Sequence, residues 1–157
     1  MARRTTRRTR GGTRDQEAAL VRRALEASAR AYAPYSGYHV GAALLAADGQ
    51  VFTGCNVENA SYPLCICAER VALGTAVAAG QSAFKVMAVA TGSSPPATPC
   101  GACRQVMHEL GPGLKVLLCN HAGELRRTTV RALLPAAFSG GQLTRRPPAV
   151  RRRRSAS

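Results

Sequence analysis

The alternation of apolar and polar residues predicts a first helix near the start of the chain. Residues 15–32 place apolar side chains at helical spacing on one face. This helix should end before Pro34, because the residue that precedes a proline avoids the helical conformation. The members of the face are Val21, Ala24, Leu25, Ser28 and Tyr32.

The same pattern predicts a hairpin and then an alternation of strands and helices. Asp48-Gly49 lies between the apolar runs 38–46 and 51–54, which is a strong signal for a β-hairpin. Alternating elements of this kind favour an α/β fold built as a three-layer α/β/α sandwich. The remaining predicted strands are 84–91, 114–119 and 125–130, and the remaining predicted helices are 68–79, 100–110 and 131–138.

The positive charge of the chain is concentrated at its two ends. Residues 1–14 and 145–157 carry six arginines each, which leaves ten of the 22 Lys and Arg residues in the middle, against eight acidic residues. Charged segments without an apolar face are typically disordered, so we expect a basic tail at 1–14, a domain at 15–144 and a second tail at 145–157. Such tails are either solvated or in non-specific contact with a polyanion such as nucleic acid.

The remaining composition favours a cytoplasmic protein. A chain of 157 residues is long enough for one domain with an ordinary core. No run approaches the length of a membrane helix, and the basic N-terminus lacks the apolar region of a secretory signal. Six cysteines in this context indicate reduced thiols, not a disulfide scaffold.

Three cysteines and one glutamate carry the most specific chemical signal. Cys67 is followed two residues later by Glu69, and Cys100 and Cys103 follow in a second segment. Three protein ligands with a fourth position open to water are typical of a catalytic zinc site. Zinc lowers the pKa of a bound water, and a carboxylate such as Glu69 can transfer the protons.

Three thiolates around one metal ion need compensating positive charge. Both cysteine segments are predicted to begin helices, and helix N-termini favour anions and lower thiol pKa values. Pro99 precedes the second helix at a position where a missing N–H costs little. Arg70 and Arg104 lie close to the cysteines in sequence and are predicted to donate to the thiolates.

The motifs NVENASY, CAER and PCGACRQV closely resemble those of the small, homo-tetrameric cytidine deaminases of the three-cysteine zinc class. Upstream, Ala33-Pro34-Tyr35-Ser36 and Val40–Leu44 match the same family, and the resemblance extends from about Asp15 to about Leu143. It implies a five-stranded mixed sheet, with the two cysteine-bearing helices side by side. It also implies one Zn²⁺ per subunit, held by Cys67, Cys100 and Cys103.

The resemblance further implies a reaction and a substrate site. The reaction is hydrolysis of cytidine and 2′-deoxycytidine to the uridines with release of ammonia, a step of pyrimidine salvage. Glu69 is expected to move protons from the zinc-bound water to ring N3 and to the leaving amine. The substrate contacts implied are Asn56 and Glu58 to the ribose, Tyr38 and backbone at Ala68 to the base, and Phe138 from a neighbouring subunit onto the base. Tyr38 occupies a position that is usually Phe in the family.

Other interpretations of these residues compete with the zinc site. Cys55, Cys65 and Cys119 are predicted to be small buried apolar residues, although Cys65 is close to Cys67 in sequence. Cys100-x-x-Cys103 alone would suit a redox pair, but that leaves Glu69 unexplained. His39, His108 and His121 do not match a ligand spacing.

Three other functions remain open on sequence. A deaminase of cytosine in polynucleotides would suit the basic tails, but it needs aromatic side chains for splayed bases, and only 4% of residues are aromatic. A nucleoside-antibiotic deaminase would share the zinc core. A non-enzymatic, zinc-stapled nucleic-acid binder would give Glu69 no role.

Overall fold

The computed structural model describes residues 10–143 of the chain. Four α-helices and five strands are found in this range, with short 3₁₀ turns at Tyr62–Leu64 and Gly140–Gln142. In chain order they are α1 (Arg10–Ser28), β1 (Gly41–Ala46), β2 (Val51–Cys55), α2 (Ala68–Ala78), β3 (Phe84–Thr91), α3 (Gly101–Leu110), β4 (Lys115–Asn120), β5 (Leu125–Thr129) and α4 (Val130–Leu133).

The five strands form one mixed sheet in the order β2-β1-β3-β4-β5. Only β3 and β4 are parallel neighbours, and α3 makes the crossover between them. The predicted hairpin is confirmed: β1 pairs with β2 from Gly41↔Cys55 to Leu45↔Val51, and Gly49 turns the chain at a φ of 99°. The five-stranded mixed sheet implied by the family resemblance is therefore present.

The two faces of the sheet bury different side chains because strand residues alternate between faces. On one face, small residues such as Ala43, Ala88 and Ala90 pack against Leu20 and Ala24 of α1. The other face carries larger side chains and is covered by α2 and α3. Its buried residues include Leu44, Leu73, Met87, Val89, Met107 and Leu118. The architecture is the predicted three-layer sandwich.

The first helix differs from its predicted bounds at both ends. It begins at Arg10, not at Asp15, and so includes residues that were assigned to the N-terminal tail; extending a formed helix costs little compared with starting one. It ends at Ser28 because Tyr32 pairs with another segment. The Tyr32 N–H donates to the Asn56 carbonyl over 3.0 Å. Tyr32 is therefore exposed and does not belong to the buried helical face. The rest of both basic tails lies outside the described residues.

The last predicted helix is shorter than expected. Residues 131–138 were expected to be helical, whereas α4 spans Val130–Leu133 and Thr129 caps it by accepting the Ala132 N–H. Leu134 precedes Pro135 and leaves the helical region, as residues before proline usually do. No helix within residues 10–143 is long and apolar enough to cross a membrane.

Gly54 allows the start of α2 to lie directly on the sheet. A Cβ atom at this position would lie 2.5 Å from the Ala68 carbonyl oxygen and 2.5 Å from the Ala72 nitrogen, both in the backbone of α2. Real Cβ atoms do not approach backbone atoms this closely, so any larger residue would displace the helix. Because Cys67 and Glu69 lie at that end of α2, the glycine sets their height above the sheet.

We expect Gly54→Ala to lower the free energy of unfolding by about 1–3 kcal/mol, the usual cost of overpacking a core. Gly74→Ala is the matched control, since a Cβ there meets no atom within 4 Å. In a helix interior it should be neutral or stabilise the protein by up to about 1 kcal/mol. Urea unfolding of both variants measures the difference. Equal stability of Gly54→Ala and the unchanged protein would contradict the close approach.

Candidate metal centre

Three thiols meet where α2 and α3 begin side by side. The sulfur atoms of Cys67, Cys100 and Cys103 all lie within 4.8 Å of one another, and the Cys67 and Cys100 sulfurs are 3.9 Å apart. Cys67 is the N-cap residue of α2 and Cys100 is the N-cap residue of α3. The fold therefore brings together the three cysteines that the sequence analysis selected.

The protons on this cluster are not shared equally. Hydrogen bonding from the Cys103 thiol, with further help from Arg70, lowers the pKa of Cys67 to about 5. The pKa of Cys103 is raised well above its usual range, because that thiol donates to Cys67 and is itself desolvated. Cys67 therefore ionises before Cys103. Metal ions bind the deprotonated form, so loading the site releases the remaining protons.

The Arg70 guanidinium lies next to the thiols. Its Nη2 atom lies 3.8 Å from the Cys67 sulfur and donates to the Cys65 carbonyl over 3.0 Å. Its Nε atom is buried without a hydrogen-bond partner among the described residues. A buried donor without a partner is costly, and here it belongs to a guanidinium that faces a cluster of thiols. A guanidinium at this position would stabilise the thiols when they lose their protons to bind a metal ion.

Glu69 is buried beside the thiols. Only 3% of its surface is exposed, although acidic residues are rarely buried without a partner. Burial raises the pKa of its carboxyl group, and the nearby Cys67 charge raises it further. The Cys103 thiol and the backbone N–H of Glu69 itself act in the opposite direction. The carboxyl group is thus held beside the thiols, and its uncharged, protonated form is favoured more than it would be in water.

The cluster fits a zinc ion. For a tetrahedral site with zinc–sulfur bonds near 2.3 Å, neighbouring sulfurs should be about 3.8 Å apart, close to the separation of Cys67 and Cys100. Thiolates are ligands that zinc prefers, and three of them leave one position open. The Glu69 carboxyl group lies beside the three thiols but is not part of the ligand group, whereas a structural site would have a fourth thiol or imidazole in that group. The donor set matches a catalytic zinc site better than a closed structural one.

Arg104 occupies a different place from the predicted one. Its Nε donates to the Pro99 carbonyl over 2.7 Å, its Nη2 to the Thr98 hydroxyl over 2.7 Å, and its Nη1 to the Leu133 carbonyl over 3.0 Å. The guanidinium donates to two backbone carbonyls and one hydroxyl, and none of these bonds goes to a thiol. Sequence proximity to Cys103 was misleading, because neighbouring helical residues point in different directions.

Asn56 and Glu58 shape the segment that precedes β1. The Asn56 amide accepts from the Val40 N–H and donates to the Tyr38 carbonyl, both over 2.8 Å. The Glu58 carboxylate accepts the N–H groups of Tyr35 and Ser36 at 2.9 and 3.2 Å, and also the Ser36 hydroxyl. These hydrogen bonds lower the pKa of Glu58, so it remains ionised.

Two aromatic residues predicted to contact substrate are exposed in the single chain. The Tyr38 ring is 40% exposed, and its hydroxyl lies 3.2 Å from the Ser93 hydroxyl. Phe138 is 55% exposed, so it does not close the core of its own chain. The Phe138 carbonyl accepts a hydrogen bond from Gln105 over 2.8 Å. Ala68, the first residue of α2, is fully buried beneath the site.

The other cysteines and the histidines lie outside the thiol cluster. Cys119 is buried in the core as predicted. Cys55 and Cys65 are half-buried instead, with Cys55 donating to the Arg30 carbonyl and Cys65 exchanging hydrogen bonds with the Asn59 backbone. Within residues 10–143, the one group of His, Cys, Asp and Glu side chains that could hold a metal contains no histidine.

Several polar residues near the site escaped the sequence analysis. Ser93 contacts Tyr38, and its carbonyl accepts from the buried amide of Asn120 over 3.0 Å. Gln105 was part of a recognised motif but had no role assigned. Its hydrogen-bond partner, the Phe138 carbonyl, is 33 residues away in sequence and is brought to it by the fold. Local pattern carries no signal for such contacts.

Comparison with known proteins agrees with this geometry. Residues 14–119 match the family model described as "Cytidine and deoxycytidylate deaminase zinc-binding region". A cytidine deaminase of Sporosarcina psychrophila is 47% identical over 126 residues, covering 80% of this chain and 93% of the relative. One from Halalkalibacterium halodurans is 50% identical over 121 residues, or 76% and 92% of the two chains. The crystal structure of cytidine deaminase from Burkholderia pseudomallei superposes with a TM-score of 0.75 at 56% identity, covering 77% of this chain and 98% of that one.

Proposed function

Because the chain belongs to the cytidine and deoxycytidylate deaminase zinc-binding family, we propose that it hydrolyses cytidine and 2′-deoxycytidine to the corresponding uridines and ammonia. The observation that carries this proposal is the buried carboxyl group of Glu69 against the three clustered thiols. A structural zinc site does not require such a group. A hydrolytic site requires one, because protons must move between water and the leaving amine.

Cys67, Cys100 and Cys103 are the residues that would hold zinc. The chemistry that zinc supplies when bound is a lowered pKa for a coordinated water, which makes a nucleophile available near neutral pH. The N-termini of α2 and α3 and the Arg70 guanidinium offset the negative charge of the thiolates. Without that compensation, three thiolates would weaken the Lewis acidity of the ion.

Glu69 carries the protons of the reaction. Its carboxylate accepts one proton from the attacking water and delivers it to N3 of the cytosine ring as C4 is attacked. It then accepts the second proton from the hydroxyl group now bonded to C4 and passes it to the departing amine. Water supplies the new oxygen, and the C4–N bond breaks to release ammonia. Burial raises the pKa of this carboxyl group above its usual range, which makes it a better proton acceptor than a solvated carboxylate. A group that both accepts and releases protons is what this sequence of transfers needs.

Asn56, Glu58, Tyr38 and the backbone at Ala68 form the substrate pocket in this proposal. A side-chain amide nitrogen carries two N–H groups, and Asn56 donates one of them to the Tyr38 carbonyl. The second is then directed to a ribose hydroxyl, with the ionised Glu58 beside it. By holding residues 35–40, both side chains also fix the Tyr38 ring at the edge of the pocket.

The working form in this proposal is a homotetramer with shared active sites. Large apolar side chains are exposed on the single chain, including Tyr62 at 69% and Leu64 at 63%. Val57, itself exposed, is bridged to both Tyr32 and Ile66, so these three exposed residues are contiguous. Exposed apolar patches of this kind mark interfaces. Phe138 would then cross from a neighbour to the substrate base.

With six reduced thiols, the protein is assigned to the cytoplasm.

Changing Glu69→Gln should abolish most turnover while leaving zinc bound, because the side chain moves protons and is not a ligand. The expected fall is at least about 10²–10⁴-fold, the range for one acid–base group. Cytidine absorbance and zinc content by mass spectrometry are measured on the same preparation. Glu109→Gln, at an exposed position of α3, is the control and should retain full activity. Near-normal turnover of the Glu69 variant would refute the mechanism.

Changing Phe138→Ala should reduce kcat/KM for cytidine by about ten- to a hundredfold, since an aromatic face on a base contributes roughly 1–3 kcal/mol. If the ring comes from a neighbour, mixing Phe138→Ala chains with Glu69→Gln chains rebuilds some complete sites. Activity above that of both parents after subunit exchange is the expected result. No rescue, with exchange demonstrated by native mass spectrometry, would show that Phe138 serves its own subunit.

A further inference from the structure

The segment between α4 and Phe138 has little regular structure to hold it. α4 ends at Leu133, and residues 134–139 belong to no helix or strand. The Leu134 N–H completes the last turn by donating to the Val130 carbonyl. Beyond that point, the position of the chain depends on bonds from other parts of the molecule.

Two adjacent residues of α3 supply bonds to both ends of this segment. Arg104 donates to the Leu133 carbonyl over 3.0 Å at the start, and Gln105 donates to the Phe138 carbonyl over 2.8 Å at the end. Phe138 is 55% exposed, so packing within its own chain leaves much of the residue uncovered. The side-chain amide of Gln105 holds the backbone from which the Phe138 ring projects.

The same two residues lie beside the metal cluster. Arg104 directly follows Cys103, and its other two donors hold the Thr98 hydroxyl and the Pro99 carbonyl, immediately before Cys100. The Arg104 guanidinium therefore binds both the loop that leads into Cys100 and the segment that leads to Phe138. A planar group with a fixed fork of donors suits this task, and a lysine ammonium does not.

We propose that Arg104 and Gln105 are positioning residues that fix segment 134–138 to the first turns of α3 and so set the place of the Phe138 ring. This inference rests on the proposed function, which gives Phe138 a contact with the substrate base. Neither residue touches substrate. Their role is to hold the ring, and Arg104 in addition holds the loop before Cys100.

A fluorescence experiment tests this placement without using activity. The chain contains no tryptophan, so Phe138→Trp introduces a single reporter at the ring position. Adding Gln105→Ala or Gln105→Glu removes the donor and should lower the anisotropy of the reporter and increase its quenching by acrylamide. Gln81→Ala is the matched control, because Gln81 is also half-buried and also donates through Nε2, to Asp48 on a remote surface. Unchanged anisotropy in both Gln105 variants would overturn the proposal.

A kinetic cycle connects the placement to the reaction. Gln105→Ala should retain zinc and reduce kcat/KM for cytidine by about two- to tenfold, the effect expected from one hydrogen bond. In the Phe138→Ala background it should have no further effect, because the ring it positions is gone. Independent effects in the two backgrounds, or loss of zinc from Gln105→Ala, would overturn the proposal.

Arg104 is tested by replacement with lysine. Arg104→Lys should lower the reporter anisotropy and also speed the loss of zinc to a chelator, since it loosens both attachments. A variant that matches the unchanged protein in both measurements would remove Arg104 from the proposal. Failure of the proposed function is seen separately: it is the absence of cytidine turnover by the unchanged, zinc-loaded protein, whatever the reporter shows.

Discussion

The structure depends on holding three thiols, which carry like charge once they are deprotonated to bind metal, within 4.8 Å of one another. Two unit charges about 4 Å apart repel by roughly 4 kcal/mol where the effective dielectric constant is about 20. The protein offsets this repulsion with two helix N-termini and the Arg70 guanidinium, and without metal it leaves a proton on Cys103. Gly54 sets where the segment that carries Cys67 lies, because only a residue without a side chain lets α2 begin so close to β2.

Much of the fold could be predicted from the sequence because its signals are local. The Asp48-Gly49 turn, the bounds of β3 and the starts of α2 and α3 follow from periodicity and turn residues. At the end of the first helix, prediction failed because a distant contact decided. Tyr32 leaves the first helix because it pairs with the segment at Asn56, and that partner cannot be inferred from the period of residues 15–32.

The site shows the same division between local and distant information. Cys67, Cys100, Cys103 and Glu69 were selected from their spacing and from the family resemblance, and the fold brings the three thiols together with the glutamate buried beside them. Arg104 was assigned to the thiolates because it is adjacent to Cys103 in sequence, yet its guanidinium binds Thr98, Pro99 and Leu133. The direction of a side chain on a helix, and the segment that reaches it, are properties of the tertiary structure.

The central claim is that the three thiols and Glu69 form a hydrolytic zinc site. The most direct measurement removes metal with a chelator, returns zinc in steps, and follows the loss of cytidine absorbance at each step. The account predicts no turnover without metal and a rate that rises in proportion to bound zinc, levelling at one ion per chain. Turnover by the metal-free protein, or zinc bound at that stoichiometry with no deamination of cytidine, would contradict it.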